Sequence, residues 1–254
     1  MVPTMPVCPI DQPLSVVKIT RTVTVRSPSG LRCSRRPARG IGALTLCFVS
    51  FTVGFDLDMT LIDPRQGMVE VFDVLAEEFG VPLDGAGFVT RLGPPLAHEL
   101  ARYELDGPTI AAITARYREI YPAIAIPKTV AMPGAVDALN SVTARGGRTL
   151  VVTAKYEPTA RAHLDILGAQ VAAVVGDLWS TGKAVALQEY GAEVYVGDHL
   201  GDITGARAAD AWAVAVATGP ISAADLAAAG ADVVLQDLTQ FPGWLDSYLL
   251  ATVH

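Results

Sequence analysis

The sequence predicts an α/β protein, a parallel sheet with helices on both faces, interrupted by an all-helical insertion. Three observations carry that expectation. From Thr149 onward, short apolar runs alternate with helical segments, the pattern of βαβ units. An earlier apolar run, Leu46–Phe55, has the same character and ends in a polar turn. Between these, residues 64–131 show helical segments alone.

The elements follow in order. Leu46–Phe55 is the first strand candidate. Gln66–Phe79 reads as a helix, with Met68, Phe72, Leu75 and Phe79 on one face and Gly80 as its stop. Pro95–Tyr103 and Thr109–Tyr121 are further helices, the second carrying Ile110, Ile113, Tyr117 and Ile120 at helical spacing. Gly134–Arg145 is another. Thr149–Thr153 is a strand, Pro158–Leu167 a helix, Val171–Val175 a strand and Ala184–Tyr190 a helix. Val194–Val196, Ala213–Val216 and Val233–Leu235 complete the strands. The core then comprises residues 46–63 and 132–254, and residues 64–131 form an inserted cap.

The 254 residues suffice for a substantial buried core. No stretch reaches the roughly 18 apolar residues of a membrane-spanning helix, so no membrane partner is expected. Charge is unevenly spread. The first 50 residues hold seven bases and one acid, whereas the rest hold 12 bases and 25 acids. An acidic body argues against nucleic-acid binding. Cys8, Cys33 and Cys47 form no CxxC pair, so neither a disulfide frame nor a zinc knuckle is supported. Residues 1–45 read as a disordered basic extension rich in Pro, Ser, Thr and Arg. Arg35-Arg36 followed by Ile41–Val53 imitates a secretory signal. That apolar run leads straight into Asp56, so cleavage after it would remove the first strand.

The chemistry concentrates at strand ends. In VGFDLDMTLID, Asp56 and Asp58 lie two residues apart and project the same way from an extended chain. They fall at the carboxyl edge of the sheet, where open α/β folds bind ligands. Alone, DxD could equally be a turn and helix cap, or a metal site of another class. Three more features add weight. Thr153 ends TLVVT and offers a hydroxyl suited to a phosphate. Lys183, in STGKA, stands ahead of a helix and can neutralise phosphate charge. VYVGDHLGD ends another strand in Asp198 and Asp202.

The order strand-DxDxT, strand-T, K, strand-GDxxxD resembles the haloacid dehalogenase-like (HAD) hydrolase superfamily over residues 46–250. The insertion's position, RLGPPLAHEL (Arg91–Leu100) and PGAVDAL (Pro133–Leu139) are similar to the phosphoglycolate phosphatase subgroup with a helical cap. The resemblance implies a Rossmann-like three-layer core and a Mg2+-dependent phosphatase. Asp56 would be the nucleophile and Asp58 the acid/base. Asp56, the backbone carbonyl of Asp58, and Asp198 would hold Mg2+, with Asp202 in support. Thr153 and Lys183 would bind the phosphoryl group. Four converging carboxylates raise one another's pKa unless cations intervene, so the set makes sense with metal and phosphate present. The implied partner is a small phosphorylated metabolite, handled by a cytoplasmic monomer or homodimer. A phosphomutase of the same superfamily, or a silent phospho-ligand-binding member, stays open. A dehalogenase lacks the second acid.

Arg91, His98, Arg102, Tyr117 and Arg118 are candidate substrate contacts in the cap, each alternatively a solvated face or core aromatic. GDLWSTGK fails as a P-loop on spacing and on Ala184. Asp177 reads as a turn acid, or alternatively as an acid near the site, His199 as a loop residue and His163 as a helix-surface residue. Lys183 lies only fifteen residues before Asp198 and lacks the subgroup's Lys-Pro, which leaves the substrate open. Met59 stands where many relatives carry glycine, and is expected to pack beside the site.

Overall fold

The computed structural model describes residues 51–252. The predicted basic extension and the first residues of the Leu46–Phe55 run lie outside the described residues. Strand β1 spans Thr52–Phe55, with β2 at Ile62–Asp63. Helices α1 (Arg65–Phe79), α2 (Gly85–Val89), α3 (Leu96–Leu100) and α4 (Gly107–Ile124) follow, and β3 (Val130–Ala131) returns the chain. Next come α5 (Ala135–Ala144), β4 (Arg148–Val152), α6 (Glu157–Ile166), β5 (Ala173–Val175) and α7 (Lys183–Glu189). The chain ends with β6 (Ala192–Gly197), α8 (Leu200–Ala208), β7 (Trp212–Val216), α9 (Ala223–Ala228), β8 (Val233–Leu235) and α10 (Phe241–Thr252).

Six strands form one parallel sheet in the order β5-β4-β1-β6-β7-β8. The chain builds outward from β1 on one side, then crosses back to build outward on the other. This is the Rossmann-like order, and its topological switch point lies between β1 and β6. Side chains alternate between the two faces as strand geometry requires. Val53, Phe55, Val151, Val194, Val196 and Val214 join Leu139, Leu164 and Phe241 in one cluster. Leu150, Val152, Tyr195, Ala213 and Ala215 join Leu187, Ile203 and Leu226 in another. Helices α5, α6 and α10 cover the first face, and α7, α8 and α9 the second. Burial on both faces explains why these strands read as nearly continuous apolar runs.

The insertion has its own core, including Met68, Phe72, Leu75, Leu92, Leu100 and Tyr121. Helix α1 buries Met68, Val71, Phe72 and Leu75, and Gly80 caps it in the left-handed conformation at φ 64°. Asp106 caps α4, accepting from the Thr109 amide at 2.8 Å. Several details depart from expectation, helix α2 among them, which the sequence does not predict. The helix read over Pro95–Tyr103 is α3 followed by a 3-10 turn at Ala101–Tyr103. The short antiparallel ribbon of β2 and β3, pairing Ile62 with Ala131 and Asp63 with Val130, has no signal in the sequence. It joins the two strands through which the chain leaves and re-enters the sheet domain. Among the described residues, no helix is long and apolar enough to cross a membrane.

His163 corrects the surface reading. Its residue is 1% exposed, and Nε2 lies 3.1 Å from the Tyr121 hydroxyl of α4. It is buried because α6 packs against α4 as well as the sheet. Burial depresses its pKa to about 2, with the Lys155 charge adding to the effect.

Candidate active site

The acids gather at the switch point. β1 ends at Phe55, and the Asp56 amide donates to the Val196 carbonyl of β6 at 2.8 Å. Asp198 follows β6 directly. Asp202 lies in the first turn of α8, accepting from the His199 amide at 3.0 Å. His199 is therefore that helix's N-cap, its Nδ1 accepting from Gly201. Carboxylate oxygens of Asp56, Asp198 and Asp202 all lie within 4.8 Å of one another. All three acids are buried.

Lys183 is fully buried at the start of α7. Its ammonium donates to Asp56 at 2.9 Å, Asp202 at 2.6 Å and the Tyr195 hydroxyl at 2.8 Å. Tyr195 in turn donates to the Val152 carbonyl at 2.6 Å, which fixes the hydroxyl as an acceptor for the lysine. Burial alone would lower the Lys183 pKa, but Asp202 and Asp56 outweigh it and raise the pKa. Burial pushes the Asp56 carboxyl up, against the pull of Lys183. Asp198 is held well above the usual carboxylate range by burial, then by Asp202 and Asp56. The Thr60 hydroxyl donates to it at 3.0 Å. Gly219 closes over this acid so tightly that an added Cβ would fall 1.8 Å from Asp198 Oδ2.

Three carboxyl groups thus crowd around one ammonium in a buried site, and a bound cation would favour their ionised forms. The donors are all hard oxygens, the chemistry that suits Mg2+ rather than a softer metal.

The Asp58 side chain points elsewhere, to a residue that the sequence reading passed over. Lys155 donates to both Asp58 oxygens, at 2.9 and 3.1 Å, and sits 4.6 Å above the Tyr121 ring. Burial raises the Asp58 pKa, and Lys155 opposes it. Lys155 follows Thr153 by two residues beyond β4, and its pairing with Asp58, 97 residues away, leaves no local signal in the sequence. The Thr153 hydroxyl accepts from the Lys155 amide at 3.2 Å.

A cavity of about 150 Å³ opens onto Asp56 and Asp58, lined with them by Thr153 and Lys155 below and by Phe88, Leu96, Tyr117 and Arg118 from the insertion, while Lys183, Asp198 and Asp202 lie behind its lining. Of the five cap candidates, only Tyr117 and Arg118 reach it. Arg91, His98 and Arg102 line a second cavity with Glu99 and His199. There Arg91 pairs with Glu99 at 2.6 Å. Asp177, read as a turn acid, has φ 56° and also lines the first cavity, where it meets Arg118 at 3.1 Å.

The family model for haloacid dehalogenase-like hydrolases matches residues 53–207. A phosphoglycolate phosphatase from Rhodospirillum rubrum is 31% identical over 215 residues, covering 75% of this chain and 89% of that protein. Another, from Caulobacter vibrioides, is 28% identical over 211 residues with the same coverage of each. A solved haloacid dehalogenase-like hydrolase from Streptococcus pneumoniae superposes with a TM-score of 0.66 at 25% identity, over 79% of this chain and 98% of its own. The chain belongs to the haloacid dehalogenase-like hydrolase family and is a hydrolase of its phosphatase type, similar to phosphoglycolate phosphatases.

Proposed function

We propose that this hydrolase releases phosphate from a small phosphate monoester through an aspartyl-phosphate on Asp56, with Mg2+ bound beside it. One observation carries the reading: Asp56, at the switch point, has Lys183 at 2.9 Å and two further buried carboxylates within reach, while Asp58 stands two residues away with a different partner. Asp56 and Asp198, with the backbone carbonyl of Asp58, would hold the metal, and Asp202 would support them while orienting Lys183. When bound, Mg2+ would neutralise phosphoryl charge and help orient the transferring group.

The chain's own groups divide the remaining work. Asp56 is a carboxylate and needs no base before it attacks phosphorus in line. As the bond from phosphorus to the leaving oxygen breaks, Asp58 gives that oxygen its proton. Water then attacks the phosphorus of the acyl phosphate and loses a proton to Asp58, and Asp56 is restored. Lys183 and Thr153 hold phosphoryl oxygens, so positioning and charge stabilisation supply most of the rate. Residues 64–131 act as a cap on the core of residues 46–63 and 132–254, excluding bulk water. Tyr117 and Arg118 are placed to meet the leaving group. The relatives' names make phosphoglycolate the first ester to try, and such a metabolite suits a cytoplasmic enzyme.

The test is phosphate release across a panel of small esters and p-nitrophenyl phosphate, with Mg2+ or with chelator. Turnover that needs Mg2+ is expected. An unresponsive panel, or turnover indifferent to chelation, would count against the reading.

A further inference from the structure

Met59 differs from its neighbours in two ways. Its φ is 61°, in the left-handed region that disfavours any residue with a Cβ. The turn is held there from both sides: the Met59 amide donates to Ile62 at 2.7 Å, and its carbonyl accepts from the Thr218 hydroxyl at 2.6 Å. Its side chain also takes a different direction. Leu57, Leu61 and Ile62 join the cluster on the sheet face, whereas Met59, 2% exposed, joins the insertion's cluster with Met68, Phe72 and Leu92. Met68 and Leu92 also line the cavity that opens on Asp56 and Asp58. Glycine would hold the same turn without the steric cost. What the methionine adds is its contact with the insertion, and a strained residue persists only where its surroundings over-determine it.

We propose that Met59 is a positioning residue: its side chain anchors the loop carrying Asp56 and Asp58 in the apolar cluster of the insertion. The insertion's seating thereby sets where the two acids stand. The kinetic consequence rests on the phosphatase reading, whereas the mechanical coupling does not.

The test uses the full chain with Met59→Gly and Met59→Leu, read by amide hydrogen exchange and by kinetics on p-nitrophenyl phosphate with Mg2+. Met59→Gly keeps the turn and removes the anchor. Exchange at residues 57–62 and across α1 is expected to rise together, with the far-ultraviolet spectrum unchanged. The kinetic loss falls on kcat rather than KM, by about ten- to a hundredfold, the scale of a small misplacement of reacting groups. Met59→Leu, similar in volume, is expected to restore kcat to within about threefold. Unchanged exchange in α1 of the glycine variant overturns the coupling. A wild-type kcat in that variant, or a leucine variant as slow as the glycine one, overturns the positioning role. Should the wild-type protein turn over no ester, the phosphatase reading fails, and hydrogen exchange alone still decides the coupling.

Discussion

Lys183 shows how tightly the candidate site is balanced. Its ammonium is fully buried and engages two carboxylates and a tyrosine hydroxyl. Lys183→Met would strand Asp56 and Asp202 without their shared cation. Breaking a buried pair in this way costs about 3–5 kcal/mol, so a urea titration should show a large fall in midpoint. A variant as stable as the wild type would mean that the acids find another counter-charge. Lys155 gives a second prediction. It holds both Asp58 oxygens, so Lys155→Met should disorder the proposed acid. Alkyl phosphates need a proton on the leaving oxygen, whereas p-nitrophenolate departs as an anion. Turnover of an alkyl ester should therefore fall about tenfold or more beyond that of p-nitrophenyl phosphate, the scale of general acid catalysis. Equal losses would assign Lys155 a structural role. The six core residues named from sequence were legible because each sits at or near a strand end or helix start, where the chain's direction is fixed locally. Lys155, and the hydrogen bond from Thr60 to Asp198, were not, because pairing across the sheet edge depends on strand order.

The strands were legible for a related reason. Burial on both faces writes a continuous apolar run, so the expected Val194–Val196 and Ala213–Val216 fall inside the buried strands β6 and β7. Very short elements show no such signature: α2 has five residues, and β2 and β3 two each. The surface reading of His163 failed because helical periodicity shows which face is apolar, not that a second helix covers the other side. The contact of His163 with Tyr121 joins α6 to α4 and has a pH consequence. With the folded pKa depressed to about 2, the unfolded chain alone takes up a proton as pH falls below about 6.5. Stability contributed by the neutral histidine is thus complete above that pH and lost as pH falls below it. The loss is about 1.4 kcal/mol at one pH unit below the unfolded value. Denaturant midpoints at pH 7.5 and 5.5 should diverge more for the wild type than for His163→Asn. Parallel shifts would contradict the assignment.

Across the chain, the strand order explains why acids so distant in sequence converge. β1 and β6 are neighbours only because the chain reverses its direction of building between them, and Asp56 and Asp198 extend from their adjacent ends. The helical insertion lies over that edge, with Arg118 meeting Asp177 and stacking 4.2 Å from the Tyr156 ring centre. Exposed pairs of this kind contribute little stability. The crowding of Asp56, Asp198 and Asp202 predicts that Mg2+ stabilises the fold by mass action. At about a hundred times its dissociation constant the gain is about 2.7 kcal/mol, seen as a higher melting temperature. Asp198→Asn should lose that gain, and a wild type insensitive to Mg2+ would remove the metal from the site. The most direct measurement concerns Asp56 itself. Borohydride added during turnover reduces an aspartyl-phosphate to homoserine, which peptide mass spectrometry locates. Homoserine at position 56, with no turnover by Asp56→Asn, is the predicted result. An unmodified Asp56 peptide together with an active Asp56→Asn variant would contradict it.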